Sequence, residues 1–141
     1  MRRVRRPAIV VLLLLASLLV ACGGSQAARP ASSGLATRTF SAGAVEVTIE
    51  PLAVDASGAI FRVALDTHSS ELSADLAKTS ALEIGGRAWG GATWTGDGPG
   101  GHHRQGELRF QTAGPAAGDV RLTIGGLPAP VVATWSLPAS K

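Results

Sequence analysis

The sequence predicts an all-β domain: a small two-sheet sandwich of about seven strands, with an immunoglobulin-like Greek key as the default topology. Three observations carry this expectation. Apolar and polar residues alternate with a period of two through several short runs, as they do in half-buried strands. Clusters of Gly, Asp, Ser and Pro separate those runs at short intervals. Once the N-terminal segments are set aside, roughly 100 residues remain, a size that suits two packed antiparallel sheets.

The elements follow in order. Val45, Val47 and Ile49 alternate with Glu46, Thr48 and Glu50, which describes a strand with one buried face. Pro51 interrupts its ladder, so Leu52 to Asp55 continue it past a bulge or along an edge. Asp55-Ala56-Ser57-Gly58 is a turn. Ala59 to Leu65 is a second strand, with Phe61, Val63 and Leu65 on one face, and the two strands make a hairpin. Later strands are expected at Ala81–Ile84, Ala92–Thr95, Glu107–Gln111, Val120–Ile124 and Val131–Leu137, punctuated by Gly85-Gly86 and the run Gly96 to Gly101. Between the second and third strands, Leu72, Leu76 and Ala77 suit one short helical turn, with no capping box before it. Trp89, Trp94 and Trp135 are the largest core candidates, and each needs a partner for its indole N–H. Trp89 and Trp94 could also line a carbohydrate-binding surface, though core or sheet-face places suit them better.

Ahead of the domain stands a segment with the three-part form of an export signal. Arg2, Arg3, Arg5 and Arg6 precede an apolar run from Ala8 to Val20 broken only by Ser17. That run is shorter than the ~20 residues a spanning helix needs. It ends in Leu19-Val20-Ala21-Cys22, which resembles the lipobox of bacterial lipoproteins at all four positions. The resemblance implies cleavage before Cys22, a diacylglycerol thioether on its sulfur and a further acyl chain (palmitate or similar) on its amine. Several chains together anchor firmly. The expected organisation is therefore a lipoprotein signal peptide over residues 1–21, a Gly/Ser/Ala/Pro-rich tether over 22–37, and the β-sandwich over 38–141. The expected place of action is extracytoplasmic, on the cell membrane, or on the outer membrane if the organism has one. Gly23 is not the Asp associated with inner-membrane retention.

Processing changes the charge. The whole chain has 13 basic and 10 acidic residues, a net +3. Four arginines leave with the leader, so the mature chain is slightly acidic. The basic balance thus belongs to the signal and is no argument for a nucleic-acid partner. Cys22 is the only cysteine, so the domain has no disulfide and no thiolate metal site. The Cys…Trp…Cys pattern of true immunoglobulin domains is absent as well.

Two polar segments stand out. Leu65 to Leu76 contains Asp66, His68, Glu71 and Asp75, and Gly98 to Leu108 contains His102, His103 and Arg104. Together they hold all three histidines. If the second strand runs on through Asp66, then Asp66 and His68 share a face. The run Val63 to Ser69, the acidic-leucine stretch Glu71 to Leu76, Trp94-x-Gly96, and Gly100 to Phe110 (GGHHRxGxLxF) resemble a family of uncharacterised exported β-sandwich domains from bacteria and archaea. The chain departs from it at Ser73 and Ala74, where more acidic or aromatic residues are expected. The resemblance implies the identity of the domain and no activity.

Three functions follow as expectations. The favoured one is a non-catalytic binding or structural role for a membrane-anchored domain. In it, Asp66 accepts main-chain N–H bonds, His68 bridges to a carbonyl, and Arg104 pairs with Glu71 or Asp75 to lock the loops. The alternative is zinc or copper binding by His68 with His102 or His103 and Asp66, although adjacent histidines on a strand point to opposite faces. The third is a hydrolase, which the sequence supports least. There is no GxSxG elbow, Ser69, Ser70 and Ser73 are too close to His68 for an unstrained triad, and no glutamate is set in an apolar run.

Overall fold

A computed structural model describes residues 33–138. The leader, Cys22 and residues 22–32 of the tether lie outside the described residues. The domain is a sandwich of two antiparallel sheets. Its strands are β1 (Arg38–Ala42), β2 (Val45–Asp55), β3 (Gly58–Thr67), β4 (Ser80–Ile84), β5 (Arg87–Trp89), β6 (Thr93–Gly96), β7 (His103–Gln111), β8 (Gly118–Ile124) and β9 (Val131–Leu137). One sheet has the order β1-β2-β3-β7-β6 and the other β5-β4-β8-β9. Successive hairpins alternate between the sheets. With β1 set aside, these are the two sheet orders of the immunoglobulin Greek key with one added strand.

The described residues thus form nine strands where about seven are expected. The two additional ones lack a readable period. In β1 only Ala42 is fully buried, because the strand lies on the sheet edge. β5 is three residues long and follows directly on the Gly85-Gly86 turn.

The β2–β3 hairpin forms as its sequence predicts. The register shifts between Pro51 and Ala53, where proline has no N–H for the ladder. Asp55 Oδ1 accepts the Ser57 N–H at 2.7 Å in the turn. The inner faces supply the core: Val47, Ile49, Phe61, Val63, Leu65 and Leu108 from one sheet, and Leu82, Ile84, Val120, Leu122 and Ile124 from the other. Phe61 bridges the layers. Its ring lies 5.7 Å from that of Trp135 and 6.2 Å, edge-on, from that of Phe110. Each such side chain contributes on the order of 1.5–3 kcal/mol by leaving water.

The Leu72 to Lys78 stretch forms one turn, α1 (Leu76–Thr79), with Asp75 as its N-cap. Leu72 and Leu76 are both buried and plug the open end of the sandwich between β3 and β4. Ser33 to Thr37, the last part of the sequence-predicted tether, also sit on the domain. Ser33 Oγ donates to the Pro51 carbonyl at 2.7 Å, and Trp135 Nε1 donates to the Ala36 carbonyl at 2.7 Å.

Candidate functional site: the locked loop end

The connections gather at two opposite ends. One end carries the Asp55–Gly58 turn, the Gly85-Gly86 turn and the β7–β8 connection. Arg87 Nη1 joins the last two by donating to the Ala113 carbonyl at 2.8 Å. Both described ends of the chain lie in this half, because Ser33 reaches Pro51 and Leu137 pairs with Gly118. The other end carries the turn after β1, the β3–β4 loop with α1, the β6–β7 loop and the β8–β9 loop. Gly125 N–H donates to the Thr79 carbonyl there at 2.8 Å.

The two polar segments meet at this second end. Their main chains are zipped together. Thr67 N–H donates to the His102 carbonyl, Leu72 N–H to the Gly101 carbonyl, and Gly100 N–H to the Leu72 carbonyl, at 2.9, 3.0 and 2.9 Å. Arg104 is the centre of the lock. It is 3% exposed because its place in β7 faces inward, as do those of Leu108 and Phe110. Its Nε donates to the Asp97 carbonyl at 3.1 Å, and its Nη1 donates to the carbonyls of Leu72 at 3.3 Å and Ala74 at 2.5 Å. The guanidinium also lies over the Trp94 ring at 5.2 Å, a cation–π contact. Burial pulls its pKa below the ordinary value, and the charges of Asp75 and Asp97 push it back up.

This corrects the expected pairing of Arg104 with Glu71 or Asp75. A carboxylate would satisfy the charge, but three main-chain carbonyls hold three points of two loops at once. Asp75 instead caps α1, accepting the Lys78 N–H at 3.3 Å, and pairs with the Lys78 ammonium at 3.1 Å. Glu71 is exposed on the β3–β4 loop.

The motif glycines now have a physical reason. A Cβ on Gly106 would stand 2.5 Å from Trp94 Cζ2 and 2.6 Å from the Thr95 carbonyl oxygen. The missing side chain leaves room for the Trp94 ring against the Arg104 guanidinium. Gly96 stands opposite Gly106 in register, and a Cβ there would collide with the Gln105 main chain. Thus Trp94-x-Gly96 and Arg104-x-Gly106 are two halves of one packing arrangement.

Of the three histidines, one has a side-chain partner among the described residues. His103 and Asp66 are register partners across β7 and β3. His103 Nδ1 lies 2.6 Å from Asp66 Oδ1, and both side chains are more than half exposed. Asp66 therefore has an imidazole where main-chain N–H groups are expected. His68 and His102 are exposed, and neither makes a side-chain hydrogen bond among the described residues, so the expected bridge from His68 to a carbonyl is not made. Among the described residues no group of three or more His, Cys, Asp or Glu side chains is placed to hold a metal ion.

One participant escapes sequence reasoning. Asp97 organises the β6–β7 loop: its carbonyl takes both Arg104 Nε and Trp94 Nε1, and its Oδ2 accepts the Gln105 N–H at 2.8 Å. An Asp between two glycines, Gly96 and Gly98, is the available signal. Trp94 is half-buried against Arg104 at the edge of the core, and Trp89 and Trp135 are buried. Comparison of the chain with family models, curated proteins and solved structures found no match.

Proposed function

We propose that this is an extracytoplasmic lipoprotein, anchored through lipid on Cys22, whose domain has a non-catalytic binding or structural role exercised at the locked loop end. The observation that carries the reading is the opposition of the two ends. The chain arrives in the half that ends in the Asp55–Gly58 turn, and the locked loops lie at the other end of β3. An anchor on Cys22 holds the first end toward the membrane and offers the second to whatever lies beyond.

The arrangement favours binding over chemistry. Loops fixed by a buried cation lose little conformational freedom when a partner docks. The exposed Asp66–His103 pair has no neighbouring nucleophile hydrogen-bonded to it among the described residues. The zinc or copper alternative needs three or four ligands from His68, His102 or His103 and Asp66, and among the described residues no three such groups are placed to hold an ion.

The test is metabolic labelling with palmitate, followed by fractionation of cells expressing the full chain. The expected result is a labelled, membrane-bound protein that loses both label and membrane association in Cys22→Ala. An unlabelled wild-type protein in the soluble fraction overturns the anchor. A turnover activity abolished by His68→Ala or His103→Ala overturns the non-catalytic reading.

A further inference from the structure

The half of the domain where the chain arrives carries a groove that the loop end does not use. It has a volume of about 580 Å³ and runs over the outer face of the β5-β4-β8-β9 sheet, between Glu83, Asp119, Arg121, Thr134, Ser136 and Arg38. Glu83, Arg121 and Thr134 form one row across β4, β8 and β9, and Asp119 pairs with Ser136 in the next outward-facing row. Ser136 Oγ donates to Asp119 Oδ1 at 2.9 Å. Arg38 is held at the rim, 5.7 Å above the Trp135 ring. The same indole donates to the Ala36 carbonyl, so the groove begins where the chain joins the domain.

Its chemistry is bipolar. Among the described residues neither Arg38 nor Arg121 makes an ion pair, although Glu83 and Asp119 line the same groove. Asp119 and Arg121 project from one face of β8, about 7 Å apart along the strand. A lone anion would meet two carboxylates and a lone cation two arginines. A short zwitterion satisfies both signs: a phosphate on the arginine forks and an ammonium with N–H donors on the carboxylates.

We propose that this groove takes a phosphoethanolamine group, supplied by the ethanolamine phospholipids of the membrane in which the chain is anchored. This rests on the lipoprotein reading for its location. Headgroup binding would fix the orientation that the tether alone only favours, with the locked loops facing outward.

The test uses the unlipidated chain from Gly23 onward, whose core closes within the described residues, sedimented with vesicles in physiological salt. Ethanolamine-containing vesicles are expected to bind it in preference to pure phosphatidylcholine, whose quaternary ammonium has no N–H to donate. They are also expected to outbind phosphatidylglycerol, which has no ammonium. Arg121→Ala and Glu83→Ala are each expected to weaken binding by about tenfold, what one charge-assisted contact supplies. Arg109→Ala, on the other sheet and paired with Glu107, is expected to leave it unchanged. All three positions are exposed, so the fold is kept, and circular dichroism checks this.

Equal binding to phosphatidylcholine overturns the proposal, as does stronger binding to phosphatidylglycerol or insensitivity to both groove substitutions. Free phosphoethanolamine that shifts the Glu83–Arg121 amides while ethanolamine vesicles fail to bind refutes the membrane source. Because the assayed chain carries no lipid, its outcome is independent of whether Cys22 is acylated, which palmitate labelling decides separately.

Discussion

Replacing Arg104 by methionine keeps the aliphatic stem and removes the guanidinium. Three donated hydrogen bonds disappear, leaving the carbonyls of Leu72, Ala74 and Asp97 without their shared partner. The Leu72 carbonyl keeps the Gly100 N–H and the Asp97 carbonyl keeps Trp94 Nε1, so the loss is that of three hydrogen bonds to a charged group, about 1.5–3 kcal/mol each. Part of this is offset, because a buried charge no longer has to be desolvated, and the stacking on Trp94 is kept in part by the thioether. The net loss is on the order of 3 kcal/mol. For a domain near 100 residues, each kcal/mol moves Tm by roughly 4–8 °C, so a fall of about 15 °C is expected. The amides of Leu72 and Gly100, which zip the two loops, should exchange with solvent faster than the core amides of β3. Arg104→Lys, a point charge without the fork, should fall between the two. Thermal unfolding followed by circular dichroism, with hydrogen exchange by NMR, measures both effects. A Tm within about 4 °C of the parent, or loop amides exchanging at the parent rate, refutes the lock.

Other expectations can be checked with the same material. Gly106→Ala drives a methyl group into Trp94 and the Thr95 carbonyl, an overpacking of about 1–3 kcal/mol, and should quench or shift Trp94 fluorescence; an unchanged Tm and spectrum contradict the fit described. Asp66→Asn removes only an exposed pair, so urea unfolding should show a loss below about 1 kcal/mol. The Asp75 carboxyl is held below its ordinary value of 3.8, first by the hydrogen bond from Lys78. The α1 cap should therefore be intact above that value and fray as pH falls through the lowered one. The Lys78 amide shift reports this, and Asp75→Asn should flatten its pH dependence. Calorimetry with zinc and with copper should show no binding tighter than millimolar; a tighter site lost in His68→Ala and His102→Ala would restore the metal reading.

Legibility in the sequence followed burial. β2, β3, β7, β8 and β9 have one face in the core and one in water, so their period of two is visible, and Pro51 marks the register shift. β1 and β5 are edge strands with one buried residue each, and an edge strand needs no regular alternation. The polar segments were visible as unusual, and they do come together. What joins them was not visible, because main-chain carbonyls have no signature in a sequence. Arg104 reads as a partner for the nearest carboxylates, and only its inward place in β7 turns it toward Leu72, Ala74 and Asp97. His103 and Asp66 were legible as members of a polar set, but their pairing depends on the β3–β7 register. That register is set by the core residues of both strands.

The account is tested most directly by the distance of each end of the domain from the bilayer. Probes attached through Ser57→Cys and Ser69→Cys, in separate samples of the lipidated protein in vesicles, report the two ends of β3. These ends lie about 30 Å apart along the strand. Quenching by spin-labelled lipid headgroups is expected for the probe at position 57 and little or none for the probe at 69. Equal quenching, or stronger quenching at 69, would contradict a domain that holds its locked loops away from the membrane.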